Sequence, residues 1–335
     1  MDGILGRAMD IVTLGELLID MFPEKIGPRM GEVEAFIPKP GGAPANVAVA
    51  ARRLGVESAF IGKVGEDLFG YYLKDVLDAE GVDTRGLRFD PEARTTMAII
   101  AMPDEHSAEF VFYRNPGADH RLQTEELDRE LLQSTKALHF GSLSLTDEPA
   151  RTATYEAARL AREAGALVSY DVNYRPSLWK DANEALQQAQ SMVREVELLK
   201  VNEEEAALLT GMQQLDTSNH GQLEAAAKAL LGKGPSLVVI TLGADGSYFQ
   251  IEGGGGYVPP FKVDTVDAVG CGDAFVAGLL FRLVQTAQWR DNLTMERLPE
   301  ILRFANAVGA LTALKRGAIP AMPSIQQVEN FLSER

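Results

Sequence analysis

The pattern of apolar and polar positions predicts an α/β protein with a Rossmann-like, three-layer α/β/α architecture. Residues 10–15 are apolar and β-branched, which indicates a buried first strand, and residues 16–20 are expected to continue it. From residue 137 onward strands and helices alternate regularly, which is typical of a mostly parallel central sheet covered on both faces. These strands are expected at 137–141, 167–171, 197–201 and 237–242, and the helices near 147–164, 181–194, 203–210 and 220–232.

Other predicted elements flank this alternation. An alanine-rich helix is expected to end near Leu54, and Pro44 suits its first turn. A second helix is predicted at 67–79, with an apolar face formed by Leu68, Tyr72, Val76 and Leu77. The remaining elements are a strand at 58–62, a glycine-rich hairpin over 246–257, a loop and helix at 266–285, and helices at 296–315 and 324–333.

Two consecutive predicted strands, 95–102 and 108–113, have no helix between them and are joined by a charged turn at 103–107. Strands of this kind pair antiparallel, so we expect them outside the parallel core. A weak alternation at 33–37 indicates another small strand nearby. We therefore predict a β lid made of 21–40 and 94–120, over a core made of 1–20, 41–93 and 121–335.

Composition and charge limit the partners of this chain. The 335 residues are 46% hydrophobic, enough for a large core, and carry a formal net charge of -16. Nucleic acids and anionic membranes need a basic face on the protein, so we expect neither as a partner. Phosphate ligands remain compatible with this charge, because N–H groups and a few cations hold them locally.

The single cysteine, Cys271, excludes an internal disulfide and fits a reducing compartment, so we expect a cytoplasmic protein. No apolar run is long enough for a membrane span, and residues 1–10 lack the apolar segment of a signal peptide. The four histidines are scattered without metal-ligand spacing, so no histidine metal site is expected.

The stretch 266–278 predicts a loop followed by a helix, and it is the first candidate for chemistry. Gly270 and Gly272 permit a tight turn, and a helix that begins here directs its unpaired N–H groups and its positive dipole end at the loop. Such a helix start binds anions. Asp273 lies inside it, where a carboxylate is either a helix cap or a base beside a bound phosphoryl group.

Polar residues also follow several predicted strands. The carboxyl ends of parallel strands share one edge of the sheet, where ligands bind in open α/β folds. Asp20 falls at such an end if the first strand continues through it, and Gly41 and Gly42 permit close approach of backbone to a ligand. The other residues at strand ends are Asp171, Asn173, Arg175, Asn202, Glu205, Thr241, Gly243 and Gly246.

Several of these residues have a structural alternative. Asn202 and Glu205 have the spacing of a capping interaction, or Glu205 orients waters around a Mg²⁺ bound to nucleotide phosphates. Arg114 and Arg175 either fork onto phosphate or hydroxyl groups or form ion pairs within the protein. Asn46 either caps its helix or points its amide at a ligand.

Two motifs identify a family. They are Gly41-Gly42-Ala43-Pro44-Ala45-Asn46 near the start and Asp267-Ala268-Val269-Gly270-Cys271-Gly272-Asp273 near the end. With both, the chain resembles the ribokinase-like, or PfkB, family of sugar kinases over essentially its whole length. Within that family it is most similar to the fructokinases, and the run Arg114-Asn115-Pro116-Gly117-Ala118-Asp119 is the one that indicates fructose. The other matching stretches are 15–20, 112–113, 169–175, 200–205, 305–310 and 315–321.

The resemblance implies a ribokinase-like fold that transfers phosphoryl from ATP, with Mg²⁺, to D-fructose, giving fructose 6-phosphate. Asp273 matches the base that takes the sugar hydroxyl proton, and Gly270, Cys271 and Gly272 match the backbone hole for the transferring phosphoryl group. The residues matched to the sugar site are Asp20, Gly41, Gly42, Asn46, Arg114, Asp171 and Arg175. The residues matched to the nucleotide site are Asn202, Thr241, Gly243, Gly246, Asn306 and Gly309. Glu205 matches a residue tied to Mg²⁺ through water, and Asp267 lies near the monovalent-cation (K⁺) site of many members.

Two positions depart from the family pattern. Ala268 stands where many members have Thr, next to the cation site. Cys271 stands where Ala is common, and it is either a tolerated small residue or a reactive thiol whose pKa is lowered by the helix start.

The resemblance leaves alternatives for the function, which include other PfkB kinases such as a ribokinase or a nucleoside kinase. A 2-keto-3-deoxygluconate kinase shares Asp171, Asn173, Arg175 and Leu178-Trp179, and its acidic substrate would need Arg114 and Arg175 as a carboxylate clamp. A non-catalytic sugar sensor is the alternative from another class, and an intact Asp273 speaks against it. By analogy with the family we expect a homodimer through the lid, since an exposed sheet edge invites pairing.

Overall fold

The computed structural model describes residues 9–25, 27, 29–101 and 109–335, and within them a large sheet forms the centre of the molecule. This sheet has nine strands in the order β13-β12-β11-β10-β9-β8-β1-β4-β5. The strands from β11 to β5 in that order run parallel, and β12 and β13 add an antiparallel edge. Their bounds are β1 Ile11–Gly15, β4 Ser58–Gly65, β5 Asp83–Asp90, β8 Ala137–Gly141, β9 Leu167–Asp171, β10 Leu198–Asn202, β11 Leu237–Thr241, β12 Ser247–Ile251 and β13 Gly254–Val258.

Helices cover both faces of this sheet, which confirms the three-layer α/β/α prediction. The helices are α1 Ala43–Leu54, α2 Leu68–Ala79, α3 Arg129–Ser134, α4 Ala150–Glu163, α5 Ala182–Val193, α6 Glu203–Thr210, α7 His220–Leu231, α8 Cys271–Leu283, α9 Leu298–Thr312 and α10 Ile325–Ser333. Helices α3 to α7 pack with Val12 and Leu138 on one face. Helices α1, α8, α9 and α10 pack with Ile11 and Ala137 on the other face, as the two-residue period of a strand requires.

A separate four-stranded sheet, which we call the small sheet, has the order β3-β2-β6-β7. Its strands are β2 Leu18–Pro23, β3 Phe36–Gly41, β6 Met97–Ala101 and β7 Glu109–Tyr113. Strands β6 and β7 pair antiparallel, as their sequence predicted. The predicted turn at 103–107 lies outside the described residues.

The expectation that 16–20 continues the first strand is wrong. β1 ends at Gly15, whose φ of 147° is accessible to glycine, and the chain then leaves the large sheet. β2 pairs with β3 and β6 in the small sheet instead. Asp20 therefore reaches the site from the small sheet and not from the edge of the large one.

Two further differences concern local pattern. Strand β5 and the short helix α3 were not predicted, because β5 carries charged residues at both ends and α3 is too short to show a period. The expected face of α2 is also wrong in the first half of the helix, where Leu68 is 88% exposed and Tyr72 is 41% exposed. The buried stripe of α2 contains Leu73 and Leu77, with Gly70 packed on the end of β4.

Candidate active site

The site forms where α8 begins. Gly270 precedes this helix with φ 80°, a left-handed conformation that favours glycine. A Cβ at this position would also lie 2.8 Å from the Ala318 side chain. This glycine therefore sets the direction of the helix start, where the Cys271 N–H donates to the Ala268 carbonyl at 3.3 Å and the Gly272 N–H has no carbonyl partner within the helix. Asp273, half-buried, lies in the first turn of α8.

The amide of Asn46 connects the two glycine-rich loops. Asn46 is buried in α1, which follows Gly42 and packs against α8. Its Nδ2 donates a hydrogen bond of 2.8 Å to Oδ2 of Asp273, so its side chain faces the site and does not cap the helix. Its Oδ1 is buried and accepts no hydrogen bond from the described part of the chain.

The pKa of the Asp273 carboxyl lies close to neutral pH. Burial raises its pKa to about 6, and a nearby Asp171 carboxylate acts in the same direction. The Asn46 hydrogen bond and the cations of Lys200 and Arg175 oppose this rise in the pKa. Asp273 is therefore mostly ionised at pH 7 and able to accept a proton.

Asp20 adds a second carboxyl to the same space. A Cβ on Gly41 would lie 2.1 Å from Oδ2 of Asp20, so the carboxyl rests directly against this glycine. Burial raises the pKa of Asp20 to about 7, and the neighbouring Asp273 charge adds to the rise. The cations of Arg175 and Lys39 oppose it. Gly42 is equally restricted, because a Cβ there would lie 2.3 Å from the backbone oxygen of Glu16.

A buried ion pair links the end of β9 to the middle of β10. Lys200 Nζ donates to both carboxylate oxygens of Asp171, at 2.9 and 3.1 Å. The ammonium also lies 3.5 Å from the position that a Cβ on Gly272 would take. His139 on β8 is buried beside this pair, and burial lowers its pKa to about 4. We did not select Lys200 from the sequence, because a lysine inside an apolar strand gives no signal of its partner.

The motif at the start of α6 is a capping box. Asn202 Oδ1 accepts the backbone N–H of Glu205 at 2.8 Å, and Glu205 Oε2 accepts that of Asn202 at 2.8 Å. The other oxygen of Glu205 accepts the Tyr174 N–H at 2.7 Å. The carboxyl is thus buried and held at both oxygens, and burial raises its pKa. Asn173, just before Tyr174, has φ 39°, which shapes the turn that reaches Glu205.

The two candidate arginines differ in their surroundings. Arg114 is buried and donates to the protein: Nε donates to Asp119 at 2.8 Å, and the terminal nitrogens donate to Thr146 and to the Leu143 carbonyl, each at 2.9 Å. These contacts fix the guanidinium, and its expected contact with a sugar stays a prediction. Arg175 is exposed and makes one hydrogen bond, of 3.2 Å, to the Tyr174 carbonyl. Its charge is near enough to lower the pKa of both Asp20 and Asp273.

The residues matched to the nucleotide site line the neighbouring strand ends and α9. Thr241 ends β11 and donates to the Val201 carbonyl at 3.3 Å. Gly243 and Gly246 have φ values of 56° and 92°, so the turn after β11 depends on glycine at both positions. Asn306 on α9 donates to the Pro259 carbonyl at 3.1 Å. Gly309 packs α9 against the start of α8, since a Cβ there would lie 3.2 Å from the Cys271 carbonyl oxygen.

Asp267 joins two loops behind the helix start. One oxygen accepts the Val269 N–H at 3.0 Å and the other accepts the Gly317 N–H at 2.8 Å. Cys271 is half-buried beside it, and burial together with the charges of Asp267 and Asp273 raises the pKa of the thiol to about 12. This raised pKa favours a tolerated small residue at Cys271 over a reactive thiol with a lowered pKa.

Sequence reasoning also missed Glu16, which follows β1. This side chain is 3% exposed, and its Oε1 accepts the Ala43 N–H at 2.9 Å at the start of α1. Its Oε2 is buried and has no partner among the described residues. Burial raises the pKa of Glu16 to about 7. Glu16 lies in a stretch that we assigned to a strand, where a carboxyl gives no sign of a turn.

Across residues 9–25, 27, 29–101 and 109–335, no cluster of three or more His, Cys, Asp or Glu side chains is arranged to hold a metal ion. In the same part of the chain, every helix is too short or too polar to cross a membrane.

The fold and the paired loops define a carbohydrate kinase, and comparison with known proteins agrees. The model of the pfkB family of carbohydrate kinases matches residues 8–325, and the chain belongs to this family. It is 42% identical to probable fructokinase-4 of Arabidopsis thaliana over 98% of both chains. It is also similar to solved structures of two bacterial fructokinases, with 32% sequence identity to each.

One structure is the fructokinase from Xylella fastidiosa with bound ATP, with a TM-score of 0.85 and 98% of this chain and 99% of that chain covered. The other is a double mutant of the fructokinase from Vibrio cholerae O395 bound to fructose, ADP and potassium ion, with a TM-score of 0.83 and the same coverage.

Proposed function

We propose that this protein is an ATP-dependent fructokinase that converts D-fructose to fructose 6-phosphate. The observation that carries the proposal is the position of Asp273. It lies in the first turn of α8, directly after Gly270-Cys271-Gly272, and it is hydrogen-bonded to Asn46. A base beside an anion-binding helix start is the arrangement that phosphoryl transfer to a hydroxyl needs. The similarity to fructokinases along nearly the whole chain supports fructose as the acceptor.

The proposed chemistry is an in-line transfer. Asp273 accepts the proton of the sugar hydroxyl while that oxygen attacks the γ-phosphorus of ATP and the bond from phosphorus to the ADP oxygen breaks. The N–H groups of residues 270–272 hold the phosphoryl oxygens, and the Cys271 N–H is shared with the Ala268 carbonyl, 3.3 Å away. Removing one such donor in comparable sites costs on the order of 10²–10³ in rate.

Sugar binding is proposed for the residues around Asp273. Asp20 and the buried Oδ1 of Asn46 accept sugar hydroxyls, and the backbone at Gly41 and Gly42 permits a close approach. Arg175 is the exposed cation above them. In the proposal the small sheet serves as the lid, which excludes water that would otherwise hydrolyse ATP.

Nucleotide binding is proposed for Asn202, Thr241, the turn with Gly243 and Gly246, and the segment of α9 with Asn306 and Gly309. Mg²⁺ is proposed to arrive with the phosphates of ATP, because that ion keeps several waters and needs few protein ligands. Glu205 suits a contact through water, since each of its oxygens already accepts a backbone N–H. Bound there, Mg²⁺ would neutralise phosphate charge.

A monovalent cation such as K⁺ is proposed near Asp267, whose carboxylate joins the two loops beside the helix start. Turnover in KCl against the same concentration of choline chloride tests this cation.

One observation bears on the alternative substrate, 2-keto-3-deoxygluconate. A clamp for its carboxylate was expected to use Arg114 and Arg175, but Arg114 is buried and already donates to Asp119, Thr146 and Leu143. Arg175 alone remains, which favours a neutral sugar.

The test is a coupled ADP-release assay with ATP and Mg²⁺ on fructose, 2-keto-3-deoxygluconate and ribose in parallel. We expect the highest kcat/KM with fructose, and a preference for the keto-acid would reassign the substrate while keeping the family. Asp273→Ala is expected to lose about 10³-fold or more in kcat while its melting curve is retained. Asp75→Ala, which removes an exposed carboxylate on α2, is the matched control and keeps full turnover. Retained turnover of Asp273→Ala would contradict the role of the base and favour a non-catalytic sensor.

We also propose a homodimer through the small sheet and a cytoplasmic location. Exposed apolar side chains on this sheet support the dimer: Ile37, Phe110, Val111 and Tyr113 are each at least 40% exposed. Light scattering at micromolar concentration tests it, and a monomeric mass would contradict it. The single half-buried thiol of Cys271 is compatible with a reducing compartment.

A further inference from the structure

A buried cation lies under the phosphoryl-binding loop, and the proposed chemistry has not used it. Lys200 is 7% exposed, in the middle of β10, and its Nζ lies 3.5 Å from the position that a Cβ on Gly272 would take. It belongs neither to the capping box of α6 nor to the proposed sugar contacts. A lysine is rarely buried to this extent unless its charge is paired, and the partner of Lys200 lies beside the loop.

The ammonium is fixed in place. Asp171 accepts two of its hydrogen bonds, so the charge has a defined position and needs no reorganisation during a reaction. Burial alone would lower the pKa of Lys200, but the surrounding carboxylates raise it above the ordinary value. Lys200 is therefore a cation throughout the neutral range.

We propose that Lys200 is a positioning residue for phosphoryl transfer: held by Asp171 beneath Gly272, its fixed positive charge keeps Asp273 ionised and favours anionic phosphoryl at the start of α8. The inference rests on the proposed function, because it assumes that Asp273 is the base. Lys200 would act through Asp273 and the loop, without touching the sugar.

The charges around this pair come from several elements. Lys200 raises the ionised fraction of Asp273, and Asp171 lowers it. The groups that face Asp273 are Asn46 on α1, Asp20 on β2, Asp171 on β9, Arg175 in the following loop, Lys200 on β10 and Cys271 on α8. The groups that face Lys200 are His139 on β8, Asp171, Glu205 on α6 and Asp273.

The opposite signs of Asp171 and Lys200 allow a test that separates charge from packing. Lys200→Met alone would leave the Asp171 carboxylate buried without its partner, and that carboxyl would take up a proton or destabilise the fold. Asp171→Asn is therefore made first, and Lys200→Met is added in that background, so that the second change removes only the cation. Lys200→Gln in the same background is the second variant, since its amide still donates to residue 171.

The readout is the acid limb of kcat/KM against pH, measured on the best sugar of the wild type, with melting curves for every variant. Asp171→Asn is expected to move the limb to lower pH, because it removes an anion near Asp273. Adding Lys200→Met or Lys200→Gln is expected to move it back up by about one pH unit and to lower the plateau at least tenfold. If the acid limb lies at the same pH in Asp171→Asn and in the folded double variants that also lack Lys200, the inference is overturned, while Asp273 remains the base. A wild type without an acid limb near pH 6 overturns both the base and its positioning.

Discussion

Asn46 Nδ2 lies 2.8 Å from Asp273 Oδ2, although the two residues are 227 positions apart in the chain. This hydrogen bond joins the first turns of α1 and α8, so the two glycine-rich loops open onto the same space. It also favours the ionised form of Asp273 against the burial that raises its pKa. The amide is therefore an electrostatic partner of the proposed base as well as a proposed sugar contact.

Replacing the amide of Asn46 is expected to shift the pH dependence of turnover. In Asn46→Ala the carboxylate of Asp273 loses its donor, so the pKa rises above about 6 and the acid limb of kcat/KM moves to higher pH by roughly one unit. Asn46→Ser, which retains a hydroxyl donor, is the control and should show a smaller shift. An unmoved limb in Asn46→Ala would mean that the hydrogen bond does not influence the base.

Arg114 is expected to act on stability more than on catalysis. Its guanidinium and Asp119 form a buried ion pair, which leaves one buried charge unpaired if either side chain is replaced. Arg114→Gln should therefore lower the free energy of unfolding by about 3–5 kcal/mol, measured by urea denaturation.

The double variant Arg114→Gln with Asp119→Asn is the control for this prediction. It removes both charges and should recover much of the lost stability, with the KM for fructose within a few-fold of wild type. A large rise in KM in the stable double variant would restore Arg114 to the sugar site.

Much of the fold could be predicted because its signals are local. The βα alternation after residue 137 follows from apolar runs and helix starts that each lie within a few residues, and β8 and β9 have the predicted bounds. The route of the chain after Gly15 could not be predicted in this way. Whether 18–23 adds to β1 or pairs with 36–41 depends on a long-range partner, and both choices suit an apolar strand.

In the candidate site, too, the local motifs could be predicted and the long-range contacts could not. Asp273 and Asn46 were predicted from motifs, but their hydrogen bond is a property of the packing of α1 on α8. Lys200 and Glu16 were missed because each is a single charged residue within an apolar stretch. Each becomes a candidate only because the fold buries it near the site, and the sequence does not show that burial. Arg114 shows the converse, since an arginine in a motif gives no indication that the protein itself occupies its donors.

Cys271 is expected to react slowly with alkylating reagents. With a pKa of about 12, only a trace of the thiol is ionised at pH 8, whereas an ordinary cysteine is partly ionised there. The greater nucleophilicity of a basic thiolate offsets part of this difference, so iodoacetamide should react roughly 10–100-fold more slowly than with free cysteine. Mass spectrometry of the labelled protein measures this rate, with free cysteine in the same tube as the control. A rate above that of free cysteine would indicate an activated thiol.

Glu16 is expected to make stability depend on pH. A carboxyl whose pKa is raised from 4.5 to about 7 on folding contributes stability below pH 4.5, and this contribution is lost as the pH rises through 7. The unfolded chain binds fewer protons than the folded chain across that window, so ionisation favours unfolding. The size of the effect is up to about 3 kcal/mol for a group as buried as Glu16.

Glu16→Gln removes this titration while its amide oxygen still accepts the Ala43 N–H. We therefore expect Glu16→Gln to be more stable than wild type at pH 8 and to lose that advantage at pH 4.5. Urea denaturation at both pH values measures the difference, and Glu24→Gln, at an exposed position, should show none. A constant difference between Glu16→Gln and wild type at the two pH values would mean that Glu16 is ionised in the folded protein, with its Oε2 charge balanced by the nearby guanidinium of Arg114.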